Sequence, residues 1–127
     1  MSEIDVQSIA RLGMEFEKAR IEAATINVAN TNNASTSVSD VTPLFMAVIG
    51  STSSSQAEVS LQSVQKAKAV YQPSHPLAND QGIIYLPDVD LAHEMLTLSS
   101  AKRAYEANVK VYNSYKQMSA KALEIGK

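Results

Sequence analysis

The chain has 127 residues, no cysteine and a formal net charge of −2 at neutral pH. This length predicts one domain or less, the small charge does not indicate a nucleic-acid or membrane-surface partner, and the lack of cysteine excludes disulfides and thiolate metal sites. Hydrophobic residues make up 45% of the chain but aromatic residues only 6%, so we expect a core of small aliphatic, alanine and methionine side chains.

The beginning of the chain does not have the pattern of a secretory signal. Glu3 and Asp5 stand where such a signal carries lysine or arginine, and no long apolar segment follows them. The longest apolar run, LFMAVI, is far shorter than the roughly 20 residues that cross a bilayer. We therefore predict a soluble chain with no membrane insertion and no cleaved signal peptide.

Residues 1–30 form the first predicted helix. Apolar residues recur at alternating spacings of three and four, and these define a first stripe of Ile9, Leu12, Phe16, Ala19, Ala23 and Ile26. A second stripe repeats every seven residues and consists of Met14, Ile21 and Val28. At about 100° per residue, it lies nearly opposite the first. Because a surface helix needs only one apolar stripe, the doubled pattern predicts more than one neighbour.

Residues 31–88 form a predicted loop and small β region that contains all four prolines. The stretches TNNASTSVSDVTP and GSTSSSQAE are predicted loops with too little apolar content to pack. PLFMAVIG is compatible with a strand or a buried helical turn, AEVSLQSVQKAKAVY predicts one strand, and residues 83–86 predict another. We expect at most a small hairpin, which needs a helix to cover it.

Residues 89–127 form the second predicted helix, which runs from about Val89 to about Ile125 without an internal glycine or proline. Asp88 or Asp90 can cap its start, and Gly126 ends it. More than half of its circumference is apolar. The predicted fold class is therefore mainly α, with long N- and C-terminal helices that form a coiled-coil-like pair and a small β-hairpin and loop region between them.

The doubled stripes predict assembly. Pairing of the two helices within one chain buries one stripe on each and leaves an apolar patch larger than soluble monomers normally expose. The missing partners then come from other chains, and head-to-tail contacts that do not close produce a tube or filament. The alternative at this point is an ordinary monomer whose alanine-rich stripes are tolerant surface.

Candidate chemical groups are few. His75 lies between prolines and is interpreted as a solvated or locally bonded loop residue. The stretch DVDLAHE places Asp90 near His93 and Glu94, which suits a divalent metal in principle, although a helix-capping segment is the preferred interpretation. No nucleophile elbow, phosphate loop or HExxH motif occurs. We therefore predict no enzyme activity, cofactor, metal, small-molecule substrate or nucleic-acid partner.

Three motifs resemble those of the bacterial flagellar axial proteins, which build the rod and hook. INVANTNNAST is similar to their N-terminal Asn-Leu/Ile-Ala-Asn signature, and LPDVDLAHEML is similar to their Pro-Asn-Val-Asp segment. SAKRAYEANVKVYNSYKQM is similar to their C-terminal Ser-x-x-Arg-Ala-Tyr-x-Ala-Asn motif. The stretch VYQPSHPLANDQGIIYLPDVD and the chain length resemble the proximal rod members. By this resemblance the chain is identified as a member of the flagellar basal-body rod family.

The resemblance implies a structural subunit of a proximal rod, a helical tube that transmits torque from motor to hook. It implies copies of the chain and other rod proteins as partners. It also implies export through the flagellar type III apparatus without a cleaved signal, and a place in the periplasmic rod of the basal body. Two alternatives stay open: a cytoplasmic helical adaptor that binds a partner through coiled-coil faces, and a metal-dependent enzyme that uses Asp90 and His93.

The predicted subunit interface combines the apolar stripes with the residues that match the family motifs. It consists of Ile9, Leu12, Met14, Phe16, Ile21, Ile26, Asn27, Val28, Ala29, Asn30, Pro87, Val89, Asp90, Leu98, Tyr105, Asn108, Val109, Tyr112 and Tyr115. The segment DVTPLFMAVIG departs from the family pattern, because it lacks the basic residues usual after the asparagine-rich turn.

Overall fold

A computed structural model describes residues 5–53 and 56–126. The elements in chain order are helix α1 (Val6–Ala29), a 3-10 turn (Val38–Asp40), strands β1 (Leu44–Ser51), β2 (Ala57–Val64), β3 (Ala67–Tyr71) and β4 (Ile83–Pro87), and helix α2 (Leu91–Ile125). The prediction of a helix at each end and a small antiparallel β region between them is confirmed. Residues 1–4 and 127 of the predicted helical regions, and 54–55 of the predicted serine-rich loop, lie outside the described residues.

Helix α1 begins and ends at polar caps. Asp5 accepts a hydrogen bond from the Gln7 backbone N–H at 3.2 Å, which satisfies one of the free donors of the first turn. At the other end the Asn30 N–H donates to Ile26 O. The Thr31 hydroxyl donates to the carbonyls of Asn27 and Val28, at 3.2 and 2.8 Å. The asparagine- and threonine-rich segment therefore ends the helix by bonding to its last carbonyls.

Helix α2 begins at Leu91, two residues later than expected, with Asp90 as its cap. The Asp90 carboxylate accepts a hydrogen bond from the His93 N–H at 3.2 Å, and Glu94 lies in the positively polarised first turn. The helix runs for 35 residues to Gly126, whose N–H donates to Ala122 O. No helix in residues 5–53 and 56–126 is long and apolar enough to cross a membrane.

The described residues of the middle region form two antiparallel hairpins, where at most one was expected. In the first, β1 pairs with β2 from Leu44–Val64 to Ser51–Ala57. In the second, β3 pairs with β4 from Ala67–Pro87 to Tyr71–Ile83. The stretch predicted as one strand is divided at Gln65. The Gln65 side-chain nitrogen lies 2.9–3.1 Å from three carbonyl oxygens of residues 38–41 and so ties this junction to the 3-10 turn.

The β3–β4 turn follows the predicted turn signals. Asn79 accepts hydrogen bonds from the backbone N–H groups of Gln81 and Ile83, at 2.9 and 3.0 Å. Gly82 has φ of 74°, and a Cβ there would lie 3.0 Å from both Tyr71 and Pro73. Glycine is therefore required here both for its backbone conformation and for space.

The loop after α1 packs against the second hairpin, so the expectation that it is too polar to pack is wrong. Ser35 and Tyr85 exchange two backbone hydrogen bonds, at 2.8 and 2.9 Å. Val41 and Ile84 are each only 2% exposed. Strand β4 supplies the partners that the loop's own composition lacks, and together they form a small core beside the start of α2.

The two helices pack against each other in antiparallel directions. Near the start of α1, the Arg11 guanidinium reaches the Tyr112 hydroxyl at 3.4 Å and lies 5.8 Å from the ring centre. Near its end, the Asn27 amide donates to the Glu94 carboxylate at 3.3 Å. The first hairpin packs against α1 as well. Helix α1 therefore contacts both α2 and the first hairpin.

Candidate functional site

The face of α1 that packs in this chain consists of small and polar side chains. Its buried residues are Ala10, Glu17, Ala23, Ala24 and Asn27. At about 100° per residue, most of these lie between the two apolar stripes, with Ala23 on the edge of the first. The larger side chains of both stripes remain half-buried or, at Ile9, exposed. The expectation that the intrachain helix pair would bury one whole stripe is therefore wrong.

Gly13 explains how the helices approach so closely along this small-residue line. A Cβ at Gly13 would lie 2.7 Å from Asn108 Oδ1 and 2.9 Å from its Cγ. The Asn108 amide in turn donates to Ala104 O of its own helix at 3.0 Å. On the α2 side of the helix contact, Ala101 is fully buried. Small residues on both helices bring the backbones together and leave the bulky stripes at the sides of the contact.

Asn27 joins three elements. Its Nδ2 donates to the Phe45 carbonyl at 2.9 Å, and its Oδ1 accepts from the Phe45 N–H at 2.8 Å. The same amide nitrogen lies 3.3 Å from the Glu94 carboxylate. Asn27 is 3% exposed, so its amide occupies the free edge of β1 as a neighbouring strand would, while it also contacts the first turn of α2.

The first hairpin covers one side of the helix pair. A cleft of about 240 Å³ lies there between α1, β1 and the start of α2, lined by Phe16, Arg20, Ala23, Ala24, Phe45, Met46, Ala47, His93, Glu94 and Thr97. Arg20 lies in an ion pair with the mostly buried Glu17, at 2.7 Å. Both charges of this pair are therefore neutralised within α1.

The opposite side of the helix pair is covered by none of the four described strands. The contact between Arg11 and Tyr112 crosses this side, and the second stripe of α1 lies there by its angular position. On α2, Leu91 is 51% exposed and Met95 is 55% exposed. The described part of the chain thus has one side covered by its own hairpin and one apolar side that is left open.

The last turns of α2 extend beyond the described part of α1. Because Arg11 lies opposite Tyr112 and the helices are antiparallel, Asp5 lies opposite about residue 118. Met118, Leu123 and Ile125 are 69%, 72% and 86% exposed. We call residues 117–125 the α2 tip. Its large apolar side chains, those of Met118, Leu123 and Ile125, are mostly exposed in the single chain.

The predicted interface residues fall into three groups in the single chain. The buried ones are Asn27, Pro87 and Val89; the half-buried ones are Leu12, Met14, Phe16, Ile21, Ile26, Val28, Asn30, Leu98, Asn108, Val109, Tyr112 and Tyr115; the exposed ones are Ile9, Ala29, Asp90 and Tyr105. A single chain does not test contacts between subunits, so their place in a subunit interface stays a prediction.

Two residues that shape these contacts, Gly13 and Phe45, are not among the residues predicted from the sequence. Gly13 stands out in the sequence only as the single glycine before Pro43, and a search for apolar periodicity gives it no weight. The pairing of Asn27 with Phe45 joins residues eighteen positions apart in the chain, and no local pattern predicts it. The signal available for Gly13 is its position inside a helix, where glycine costs about 1 kcal/mol and therefore indicates a close contact.

The remaining chemical candidates have local roles. The His75 ring nitrogen accepts from the Leu77 N–H at 3.0 Å, as the interpretation of a locally bonded loop residue expects. Asp90 caps α2 through the backbone of His93, while Glu94 contacts Asn27. Within residues 5–53 and 56–126, no three His, Cys, Asp or Glu side chains are grouped to hold a metal ion.

Comparison with known proteins gives matches to the C-terminal part of the chain and to nearly its whole length. The family model "Flagellar basal body rod FlgEFG protein C-terminal" matches residues 80–125. A flagellar basal-body rod protein FlgC of Escherichia coli O157:H7 is 42% identical over 66 residues, which cover 52% of this chain and 49% of the relative. The FlgC of Bacillus subtilis is 52% identical over 58 residues, or 46% of this chain and 39% of the relative.

These two matches span about half of the relatives' length or less, but a third extends along nearly the whole chain. The FlgC of Aquifex aeolicus is 27% identical over 125 residues, which cover 94% of this chain and 93% of the relative. The C-terminal match includes α2 and the segment before it, where two of the predicted motifs lie. The motif resemblance is thereby confirmed, since the matched family model and the relatives that the chain is similar to are flagellar basal-body rod proteins.

Proposed function

We propose that the chain is a structural subunit of the proximal rod of the bacterial flagellar basal body, where it helps to transmit torque from motor to hook. The observation that carries the proposal is the apolar surface left open by the intrachain fold. Both stripes of α1 are at least partly exposed, and Met118 and Ile125 on the α2 tip are 69% and 86% exposed. Surfaces of this kind mark protein contacts.

Neighbouring subunits cover this surface by coiled-coil-like packing. The predicted axial regions, residues 1–30 and 89–127, supply apolar repeats of three, four and seven residues, which is the spacing that helix-in-helix packing requires. Residues 31–88 supply lateral contacts. Exposed ion pairs contribute only about 0–1 kcal/mol each, so apolar burial provides the cohesion and the flanking charges set the register.

The partners are copies of the chain, other rod proteins and, during delivery, the flagellar type III export apparatus. The chain is located in the periplasmic rod, and it reaches the periplasm without a cleaved signal peptide. The relatives' names, which call them basal-body rod proteins, support the rod and the basal body. They also agree with the prediction that the chain is not an enzyme, and they give no support to a cytoplasmic adaptor.

Deletion of the gene tests the proposal. We expect cells without the chain to lose rod and hook but to keep the inner-membrane ring, as seen by electron microscopy of isolated basal bodies. Supplying the full chain from a plasmid should restore rod, hook and swimming. A deletion strain with complete rods, or a chain that remains in the cytoplasmic fraction of swimming cells, would contradict a role in the rod.

A further inference from the structure

The first hairpin lies over the middle of the first stripe of α1. Two clefts mark its edges on the helix. The cleft of about 240 Å³ is lined in part by Phe16 and Ala23, and a second cleft, of about 350 Å³, is lined in part by Ala19. The line between the two clefts falls at the angular position of the first stripe. The hairpin therefore covers part of the same apolar repeat that is predicted to pack against a neighbouring subunit.

The two strands present an apolar face to this stripe. Directly opposed residues of an antiparallel pair share one face of the sheet, so the register places Phe45, Ala47, Ile49, Val59 and Leu61 together. Phe45 and Ala47 line the first cleft, while Val59 and Leu61 line the second, and this is therefore the face toward α1. The hairpin thus shields apolar surface of the helix with its own apolar surface.

The contact between hairpin and helix is loosely packed. Protein interiors leave few voids larger than a water molecule, whereas both edges of this contact open into clefts. The second cleft is bordered by the charged side chains of Glu15, Lys18 and Glu22, so water reaches the contact from that side. Ile49, near the end of β1, is 51% exposed although it lies on the face toward α1. Local opening is therefore easiest at that end of the hairpin.

The hairpin is attached to the rest of the molecule at its other end. Its two connections enter where the first residue of β1 pairs with the last residue of β2, and the Gln65 amide ties this end to the 3-10 turn. The two hydrogen bonds between Asn27 and Phe45 lie beside it. In the part of the chain that the structure describes, no other hydrogen bond joins β1 or β2 to a helix. The far end can consequently lift while these attachments stay intact.

The stripe itself is better matched to a helix than to a hairpin. Its residues recur at spacings of three and four from Ile9 to Ile26, over about 25 Å, and packing against another helix requires this spacing. A hairpin has no matching period, because its side chains alternate every two residues. Ile9 lines neither cleft and is 55% exposed. The repeat therefore extends beyond the part of the helix that the hairpin covers.

We propose that the first hairpin is a detachable cover, which shields the middle of the first stripe in the free subunit and lifts from α1 when a helix of a neighbouring subunit takes its place. This inference rests on the proposed function and adds a change of conformation to the addition of each subunit. The cover opens about its Gln65 end, where the Asn27 hydrogen bonds hold. While docked, it reduces the apolar area that a free chain exposes and so limits premature association.

Thiol labelling of the purified full chain tests whether the cover opens. The chain has no cysteine, so Ala23→Cys places a single thiol beneath the hairpin at a position that is 3% exposed. We expect a maleimide to modify this thiol at least about tenfold faster than global unfolding of the same variant allows, as calculated from its urea denaturation. Ala101→Cys is the matched control, because Ala101 is fully buried in the helix contact and its thiol should react only through global unfolding. Labelling of Ala23→Cys at the rate of global unfolding would overturn the proposal.

A charge beneath the cover tests whether the cover shields the stripe. Leu61→Asp places a carboxylate between the hairpin and α1, so we expect the thiol of Ala23→Cys to react at least about tenfold faster in this background. In sedimentation experiments, Leu61→Asp without the thiol should associate at a protein concentration at least about tenfold below that of the natural chain. Gln62→Asp, on the outer face of the same strand, is the matched control and should change neither property.

Faster labelling without stronger association, or equal effects of Leu61→Asp and Gln62→Asp, would contradict the shielding role. Circular dichroism must show that the helices of the Leu61→Asp chain are intact. If they are not, Leu61→Ser replaces it, since this change weakens the same apolar face without burying a charge, and the same two results are expected of it.

These experiments also separate the cover from the proposed function. If Ala23→Cys reacts only through global unfolding while rods are lost on deletion and restored by the full chain, the chain is a rod subunit whose hairpin stays docked. If the hairpin opens in the purified chain but the deletion strain keeps its rods, the opening stands and the rod assignment is wrong.

Discussion

Asn27 shows how much a single polar side chain contributes to this small molecule. Its amide satisfies both backbone groups of Phe45 on the free edge of β1. Asn27→Ala leaves that donor and acceptor without their partner in a place shielded from water. We expect the free energy of unfolding to fall by about 2 kcal/mol, measured by urea denaturation of the purified chain.

Asn30→Ala is the matched control for Asn27, because it removes the second asparagine of the same motif. The Asn30 side chain makes no hydrogen bond within the described residues, although its backbone N–H caps α1. We expect a change below about 0.5 kcal/mol. If both variants lose the same free energy, the pairing of Asn27 with Phe45 is not what stabilises the junction.

Gly13 and Asn108 form a second pair whose effects should not be additive. Gly13→Ala improves helix propensity by about 1 kcal/mol, but its methyl group would lie 2.7 Å from Asn108 Oδ1. Displacing that amide breaks its hydrogen bond to Ala104 O. We therefore expect Gly13→Ala to stabilise the chain by about 1 kcal/mol more in an Asn108→Ala background than in the natural sequence. A double-mutant cycle by chemical denaturation measures this difference, and strict additivity would rule out the close contact.

At the scale of elements, the sequence predicts helices better than it predicts their contacts. Caps act locally, so Asp90 and Gly126 indicate the ends of α2 within two residues. The strands depend on partners far along the chain. Gln65 separates β2 from β3 by bonding to residues 38–41, and Ser35 packs because Tyr85 is available. The spacing of large apolar residues also does not predict a helix contact made of alanine and glycine. The packed face of α1 therefore cannot be predicted from that spacing.

The α2 tip should be the least protected part of its helix in an isolated subunit. Backbone amides at residues 97–112 lie where α1 and α2 are packed, whereas those at 117–125 lie beyond the described start of α1. Because local opening is easiest where few apolar contacts form, we expect amides of the tip to exchange with deuterium at least about tenfold faster at low protein concentration. Uniform protection along α2 in a monomer would show that the tip does not need a neighbour.

At the scale of the whole molecule, folding and assembly use different side chains. The chain folds on its small-residue contact, the Asn27 junction and the core around Ile84, while larger apolar residues remain at the surface. A soluble monomer gains nothing from such exposure. The division therefore allows a subunit to be folded before it is assembled, and mutations should separate the two processes.

The substitution Tyr105→Asp should impair assembly without impairing folding. Tyr105 lies on the open side of the helix pair by its angular position and is 36% exposed, so a carboxylate there stays hydrated in the free subunit but is buried without a partner once a neighbour docks. We expect the purified variant to melt within about 2 °C of the natural chain and cells that carry it to lack rods and to be non-motile. Leu96→Asp, on the outer surface of the same helix, should leave both melting and swimming unchanged. Normal swimming with Tyr105→Asp would show that Tyr105 is not covered in the assembled rod, whereas a large fall in melting temperature would show that Tyr105 serves the fold rather than the assembly.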